Sequence, residues 1–255
     1  MKTMKVLAIC AIALSSMISL KAQETAPALS VTAGSDLVSS YIWRGVYFAG
    51  ASIQPSINLT YGGLTAGLWG SSDISLVNDP GYKEVDASLF YTVAGVKVGL
   101  TQYWWTGKNK PYIAKDAFGS GHYFEGTLGY SISNFNIVAN TMFAGDRDKD
   151  AKGKQMFSTY IEGSYGFNVG DVAILPIVGI SPWESNANVG YHLKYDGNSA
   201  LPTPSGNGTG IALCNVSLKA TKAVKVSETL SVPVSVQAIY SNSSDQIHLV
   251  LGVTL

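Results

Sequence analysis

The stretch that decides the fold is Ile53-Gln54-Pro55-Ser56-Ile57-Asn58-Leu59-Thr60-Tyr61, in which every second residue is apolar or proline and the others are polar. The chain ends with a similar alternation of apolar residues from Ile247 to Leu255. Successive side chains of a β-strand point to opposite faces, so this period of two predicts strands with two different faces. Beyond residue 22, no apolar stretch is long enough to predict a membrane helix.

The alternation recurs along the chain and predicts an all-β fold of about 12 antiparallel strands. Three connections are the residue pairs 62–63, 94–95 and 133–134, which suit tight hairpin turns, whereas several of the intervening connections are long and polar. Short turns at one end and long loops at the other are typical of a transmembrane up-and-down β-barrel in the outer membrane of a Gram-negative bacterium. An even strand number places both termini on the periplasmic side. The predicted strands are 29–44, 52–61, 64–72, 82–93, 96–105, 121–132, 135–144, 156–165, 172–180, 211–221, 229–240 and 246–255.

The composition agrees with a surface that faces lipid. Only 13% of the 255 residues are charged, about half the usual share of roughly 25% in soluble domains. The 17 basic and 17 acidic residues give a net charge of zero, which predicts no nucleic-acid partner. Lys2 and Lys5 precede an apolar run that ends at Leu20, and Ala22 precedes polar residues. We therefore predict a cleavable signal peptide over 1–22 and a barrel over 23–255; the alternative, a membrane anchor, would need a longer run.

Aromatic residues on the apolar faces fall into two bands, as girdles at both membrane interfaces require. The band near the long loops contains Tyr41, Trp43, Trp104, Phe124, Phe143, Phe157 and Tyr240, and the band near the tight turns contains Tyr61, Tyr91, Tyr130, Phe135 and Tyr165.

Prolines at 55, 176 and 233 fall inside predicted strands, where each removes a ladder hydrogen bond and predicts irregular pairing.

Several segments resemble a known bacterial family. They are Ser35-Asp36-Leu37-Val38-Ser39-Ser40-Tyr41-Ile42-Trp43-Arg44-Gly45, Gln54-Pro55-Ser56, Leu68-Trp69-Gly70-Ser71-Ser72 and Ser181-Pro182. The chain is similar over its mature length to the TorF-type porins, also described as Gcw_chp conserved outer-membrane proteins. The resemblance implies an outer-membrane barrel and a porin function, without a known solute. Leu255 departs from the aromatic residue that commonly ends such barrels.

The polar faces of the predicted strands carry the charges that an open lumen would use for selectivity. Five acidic residues against three basic ones would favour cations weakly. The alternative is that these charges pair with one another and, together with inward aromatic residues, fill a narrow barrel. The predicted lumen charges are Asp36, Glu84, Asp86, Glu125 and Glu162 with Arg44, Lys97 and Lys219, and the inward aromatic residues are Trp69, Phe90, Tyr103, Trp105, Tyr123 and Tyr160.

Arg44 is the most specific single candidate. It ends the first predicted strand at the loop rim, where it would act either as a constriction charge for anionic solutes or as a structural arginine that forks onto a carboxylate. The structural role is favoured, with Glu84 on a neighbouring wall as the expected partner.

No metal, cofactor or catalytic site is predicted. Residues 146–154 carry aspartates at alternate positions, but Ala151 and Phe157 stand where a calcium loop needs glycine and glutamate, so a solvated loop is expected. His122, His192 and His248 lie outside any nucleophile motif, and we expect no enzymatic activity. Cys214, the one cysteine after the predicted cleavage site, is expected to be a packed residue.

These observations predict a porin-like channel for passive diffusion of small polar solutes. The alternative is a non-conducting barrel whose extracellular loops, above all 181–210, bind a partner or support the envelope. The expected partners are outer-membrane lipid, lipopolysaccharide, the barrel-assembly machinery and small polar solutes; the oligomeric state is left open.

Overall fold

The predicted strands are present, and four short strands, at 46–49, 167–169, 193–194 and 203–204, lie where the sequence predicted none. The computed structural model describes residues 27–74, 82–105, 121–145, 148–149, 153–183, 185, 193–194, 203–204, 211–242 and 244–255. The predicted signal peptide and most of the 181–210 loop lie outside these residues. The strands are β1 (Leu29–Val38), β2 (Tyr41–Trp43), β3 (Val46–Ala49), β4 (Ser52–Tyr61), β5 (Leu64–Asp73), β6 (Lys83–Val93), β7 (Val96–Trp105), β8 (His122–Ile132), β9 (Phe135–Gly145), β10 (Thr159–Tyr165), β11 (Phe167–Val169), β12 (Val172–Ser181), β13 (Leu193–Lys194), β14 (Thr203–Pro204), β15 (Ala212–Lys225), β16 (Ser231–Ser241) and β17 (Gln246–Thr254).

The sheet closes on itself as an antiparallel barrel, which confirms the predicted fold. Each wall strand pairs with its neighbours in the order β1, β4, β5, β6, β7, β8, β9, β10, β12, β15, β16, β17, and β17 pairs with β1. Strand β11 continues β10 beyond Gly166 and pairs with β12, so the two count as one wall strand and the barrel has 12. None of the residues that the structure describes belongs to a helix long and apolar enough to cross a membrane.

The three predicted tight turns are confirmed. Their flanking residues pair directly, as Tyr61 with Leu64, Val93 with Val96 and Ile132 with Phe135. The first residue of each turn pair has positive φ (57°, 49° and 52°), as a two-residue hairpin turn requires. The N-terminal end of β1 and the C-terminal end of β17 lie at this same end of the barrel, here called the turn end; the opposite end is the loop end.

Two of the three prolines interrupt a ladder as predicted, whereas for Pro233 the prediction is wrong, because it stays paired with Ala223 of β15 in an unbroken register. Between β4 and β5, the pairing stops opposite Pro55 and resumes at Ser56 in an unchanged register. Between β12 and the β10–β11 strand, it stops opposite Pro176 and resumes at Ile174, again without a shift. Proline has no N–H to donate, so each interruption follows from the sequence.

The outer face of the barrel is apolar and exposed. All five aromatic residues of the predicted turn-end band point outward and are exposed. At the loop end, Phe143 and Phe157 are also exposed. For Tyr41 and Trp43 the predicted outward position is wrong, because the chain leaves the wall after Val38, bends at residues 39–40 and enters the lumen.

Candidate functional site

The segment inside the lumen is a hairpin made of β2, the turn Arg44-Gly45 and β3, residues 41–49, which we call the lumen hairpin. Tyr41 pairs with Ala49, and Trp43 pairs with Val46. The turn residues Arg44 and Gly45 have φ of 53° and 86°. Two successive residues with positive φ are characteristic of a type I′ turn, so the chain reverses tightly at Arg44-Gly45. The predicted wall strand 29–44 is therefore wrong beyond Val38, since residues 41–43 pair with β3 instead.

Arg44, at the tip of the lumen hairpin, forks onto Glu125 of β8. Its two terminal nitrogens, Nη1 and Nη2, each lie 2.8 Å from a different oxygen of the carboxylate. The Tyr103 hydroxyl of β7 donates a further hydrogen bond of 2.8 Å to the same carboxylate. The side chains are nearly inaccessible, with 8% of Arg44 and 1% of Glu125 exposed. The structural role predicted for Arg44 has this geometry, but the expected partner Glu84 is wrong.

Aromatic rings surround the Arg44 guanidinium. Its Cζ lies 4.2 Å from the centre of the Trp43 ring and 4.6 Å from the centre of the Tyr160 ring. The Tyr160 hydroxyl lies 2.8 Å from Glu162 Oε2 and 3.0 Å from Asn215 Oδ1. The guanidinium therefore combines a bidentate ion pair with two cation–π contacts, which a lysine at this position would not reproduce.

The aromatic side chains of the lumen hairpin pack against the near walls. Ring centres lie 5.6 Å apart for Tyr41 and Trp69 and 5.4 Å apart for Trp43 and Trp105. Phe48 packs on Tyr82, just before β6, at 5.3 Å. Offset or edge-on pairs at such distances stabilise a cluster beyond its buried area. The hairpin is thus held by β5, β6 and β7 on one side of the lumen.

Gly45 brings the tip against the far wall. A Cβ atom at Gly45 would lie 3.0 Å from the Cys214 carbonyl oxygen and 3.1 Å from Asn215 Cβ, both on β15. The register between β12 and β15 shifts at this level, so that Cys214 is an extra residue between paired neighbours. Both the positive φ and the close approach require glycine. The lumen hairpin therefore crosses the barrel from β1 and β4 to β15.

Inward side chains at the level of the lumen hairpin are buried, although they lie on walls all around the barrel. In a water-filled lumen these side chains would be exposed to solvent. Their burial means that the lumen is filled at this level, near the loop end. They include Gln54, Ser71, Glu84, Tyr103, Glu125, Tyr160, Asn215, Ile239 and Val250, each at most 9% exposed.

Glu84 and Asp86 form an acidic pair on the inward face of β6. The Tyr82 hydroxyl donates to Glu84 over 2.8 Å, and Trp105 Nε1 donates over 2.5 Å. Asp86 Oδ1 is buried without a hydrogen-bond partner in the described part of the chain. In that part, no group of three or more His, Cys, Asp or Glu residues is placed to hold a metal ion. Within the described residues, the structure thus brings Arg44 to Glu125 and shows no ion pair for Glu84 or Asp86.

The remaining predicted lumen residues lie apart from the lumen hairpin. Asp36 accepts a hydrogen bond of 2.6 Å from the Thr254 hydroxyl. The Lys97 ammonium lies 3.9 Å from the centre of the Phe90 ring. Lys219 lines a cavity of about 550 Å³ at the turn end, together with residues that include Asn168 and Thr221. These positions do not test the predicted role of the three residues in solute selectivity, which stays a prediction.

Two aspartates outside the wall strands have shifted pKa values. Asp148 is fully buried and accepts hydrogen bonds from the backbone N–H and the hydroxyl of Ser158. Burial raises the pKa of the Asp148 carboxyl. The prediction that this residue lies in a solvated loop is wrong, because its carboxylate oxygens accept hydrogen bonds from Ser158, just before β10. At the turn end, a hydrogen bond from Lys222, 3.0 Å away, lowers the pKa of the exposed Asp171.

The histidines and the cysteine have packing partners. His122 Nδ1 lies 2.9 Å from Gln102 Nε2. His248 faces the lumen, where its ring stacks 6.2 Å from the Tyr47 ring. Cys214 is buried, as predicted. His192 lies outside the described residues.

Sequence reasoning missed the lumen hairpin itself. The signal was present, because Gly45 stands between the short apolar runs Tyr41-Ile42-Trp43 and Val46-Tyr47-Phe48, a pattern typical of a hairpin. The alternation through Trp43 also fits a longer wall strand, and for this reason the sequence predicts one strand over 29–44.

Comparison with known proteins shows a family but no function. A family model described as "Bacterial protein of unknown function (Gcw_chp)" matches residues 22–230. No curated protein matches the chain. Among solved structures, the outer membrane phospholipase A from Escherichia coli aligns over 94% of this chain and 95% of its own, with 10% sequence identity and a TM-score of 0.38. At this similarity no property of that enzyme is transferred to this chain.

Proposed function

The chain belongs to the Gcw_chp family of bacterial proteins of unknown function, and we propose that it is an outer-membrane β-barrel holding a passage for small polar solutes that the lumen hairpin closes at its loop end.

The apolar outer face supports a place in a membrane. Leu59, Leu68, Leu89, Leu100 and Leu128 lie on consecutive wall strands, point outward and are 47% to 58% exposed. Exposing these side chains to water costs roughly 25 cal/mol of free energy per Å² of apolar surface, a cost that contact with lipid removes. A closed sheet leaves few strand edges unpaired, as the hydrocarbon region of a bilayer requires. Lipid and lipopolysaccharide are the partners that this surface fits.

The polar inner wall supports a passage toward the turn end. Below the lumen hairpin, side chains such as Thr60, Thr65, Thr127 and Asn140 hydrogen-bond to one another across adjacent strands, at distances of 3.1 and 2.8 Å. The cavity beside Lys219 lies at the same end. Hydroxyl and amide groups along a lumen suit small polar solutes.

The observation that carries the closure is the bidentate contact of Arg44 with Glu125, made across the lumen and shielded from solvent. Because both charges of this ion pair are buried, the pair holds the hairpin tip in one position. The resting barrel therefore conducts little.

Planar-bilayer recording of the refolded protein tests the proposal. We expect rare or absent conductance steps for the natural sequence. A variant in which an Asn-Gly turn replaces residues 41–49 should give steady steps, because it lacks the occluding segment but keeps every wall strand. A variant in which Lys222→Ala breaks the exposed turn-end ion pair serves as a matched control and should behave as the natural sequence does.

Three outcomes contradict the proposal or a part of it. A heat-modifiable gel shift establishes that each variant forms a barrel. If the shortened barrel is folded and conducts no more than the natural one, the barrel holds no passage, and the non-conducting envelope barrel becomes the better description. If the natural sequence conducts as steadily as the shortened one, the lumen hairpin does not close it. If the refolded protein does not insert into bilayers, the membrane location is wrong.

A further inference from the structure

The seam between β17 and β1 is incomplete at the loop end. Their ladder contains three residue pairs, Asp36–Thr254 to Val38–Gly252, and continues through hydrogen bonds between Ser39 and Leu251. By contrast, β1 pairs with β4 along its whole length. Because the chain turns into the lumen after residue 39, residues 246–250 of β17 have no hydrogen-bonded strand on that side within the described residues, although the inward His248 ring stacks on Tyr47 of the lumen hairpin. An unpaired edge in a membrane is unfavourable and is a place where another strand adds.

The exposed side chains mark the same edge. On the outer face of β17, Ile247 is 76% exposed and Leu249 is 65% exposed, whereas Leu251, where the seam with β1 begins, is 54% exposed. Exposure rises along the strand as its neighbour is lost. The edge therefore needs about five residues of extended chain with apolar side chains on the outer face.

Residues 40–44 of the same chain match this requirement. Continuing the register of Asp36 with Thr254 would place Tyr41 opposite Leu249, Trp43 opposite Ile247 and Arg44 opposite Gln246. The alternation also agrees, because Tyr41 and Trp43 would then point outward at the loop end, where aromatic residues favour the membrane interface.

The bends at the base of the hairpin lie in small residues. The chain bends at Ser39-Ser40 and again at Gly50-Ala51. The pairing of β2 with β3 is the continuation of the pairing of β1 with β4 across these two bends. Straightening them would move the hairpin as one unit and keep its internal hydrogen bonds.

We propose that the vacant edge of β17 is the docking surface for the lumen hairpin, so that residues 40–44 exchange between the lumen and the wall and their docking opens the loop end. This inference rests on the proposed function, both for the membrane around the edge and for the opening that docking causes. In the docked state Arg44 has left Glu125, and β1 extends to Arg44 as a wall strand.

Disulfide trapping in the full-length protein in native outer membranes tests the docking. In a Cys214→Ser background, Tyr41→Cys is combined with Leu249→Cys. In the structure Tyr41 is inside against Trp69 and Leu249 points outward, so a disulfide forms only after docking, when the two Cα atoms lie about 5.5 Å apart. Leu37→Cys with Val253→Cys, already paired, is the positive control.

The expected result is a cross-link between positions 41 and 249 under a mild oxidant, and none between Tyr41→Cys and Val253→Cys, which lies four residues away on the same face. Adding Arg44→Ala should raise the cross-linking rate on the order of 100-fold, because it removes the buried pair that holds the hairpin inside. Trp43→Cys with Ile247→Cys is a second pair, used where the first does not yield a heat-modifiable barrel.

The absence of a cross-link at both docking pairs, with the positive control cross-linked, would overturn the docking. Conductance separates this result from the proposed function. A barrel cross-linked at 41–249 that conducts until a reductant is added supports both proposals. A cross-linked barrel that does not conduct supports the docking and contradicts the passage. Conductance of the barrel without residues 41–49, together with failure of both docking pairs, supports the passage alone.

Discussion

Arg44→Ala should destabilise the barrel by about 3–5 kcal/mol, the cost of leaving one member of a buried ion pair without its partner. The Glu125 side chain is 1% exposed. After the substitution its remaining hydrogen-bond donor among the described residues is the Tyr103 hydroxyl. The cation–π contacts with Trp43 and Tyr160 are lost as well, and such contacts contribute about 0.5–2 kcal/mol each.

A double-mutant cycle separates the pair from its surroundings. Glu125→Ala alone should cost a similar free energy of unfolding, because it leaves the Arg44 guanidinium buried. The double alanine variant should cost about 0.5–3 kcal/mol less than the sum of the single variants. Arg44→Met with Glu125→Leu should come within about 1 kcal/mol of the natural sequence or exceed it, since apolar residues of similar volume avoid the desolvation of two charges.

Guanidinium unfolding of the barrel in lipid vesicles measures these free energies, with tryptophan fluorescence as the signal. Lys222→Ala breaks an ion pair whose members are 53% and 74% exposed, and it should leave the unfolding midpoint unchanged. The reasoning is refuted if Arg44→Ala changes the midpoint no more than this control does, because the contact with Glu125 would then be as weak as a pair on the surface.

Three further predictions test other parts of the structure. Gly45→Val should displace the hairpin tip, because glycine alone fits its φ of 86° and its contact with the far wall; we expect a loss of about 1–3 kcal/mol and steadier conductance, and unchanged conductance would contradict the closure. Burial raises the pKa of Asp148, so its carboxyl stabilises the folded loop most at pH values below the ordinary pKa of about 3.9. The hydrogen-exchange protection factor of the Ser158 amide should therefore fall as the pH rises through the raised pKa. A constant protection factor, or the same fall in Asp148→Asn, would contradict this. Ile57→Arg on the outer face should destabilise the barrel in bilayers by about 2–4 kcal/mol, whereas Asn58→Arg on the inner face should cost less, and equal costs would argue against a lipid-facing exterior.

Most of the wall could be predicted from the sequence because its determinants are local. Strands β4 and β7 have the predicted bounds, 52–61 and 96–105, since each alternates cleanly and ends at a tight turn. The interruptions at Pro55 and Pro176 follow from a missing N–H. Neighbouring strands in an up-and-down barrel follow one another in the chain, so correct turns also give correct pairing.

The ion pair could not be predicted in the same way. Arg44 and Glu125 are separated by 81 positions in the sequence, and alternation shows only that each belongs to a polar face. Which carboxylate the guanidinium reaches depends on the width of the lumen and the stagger of the strands. Glu84 is nearer in strand order, yet its oxygens already accept hydrogen bonds from Tyr82 and Trp105. These hydrogen bonds depend on the packed structure and cannot be predicted from a short sequence motif.

The position of residues 41–44 has a different explanation, because one pattern is compatible with two environments. An outward strand at the loop end needs aromatic residues at alternate positions for the membrane interface. A hairpin inside the lumen needs them to fill the space between the walls. Tyr41 and Trp43 satisfy both requirements, and Arg44 points to the lumen in either arrangement. The choice between the two is therefore made by the ion pair with Glu125 and the contact of Gly45 with β15, not by the alternation. Weakening either contact should move the equilibrium toward the longer wall strand that the alternation predicts.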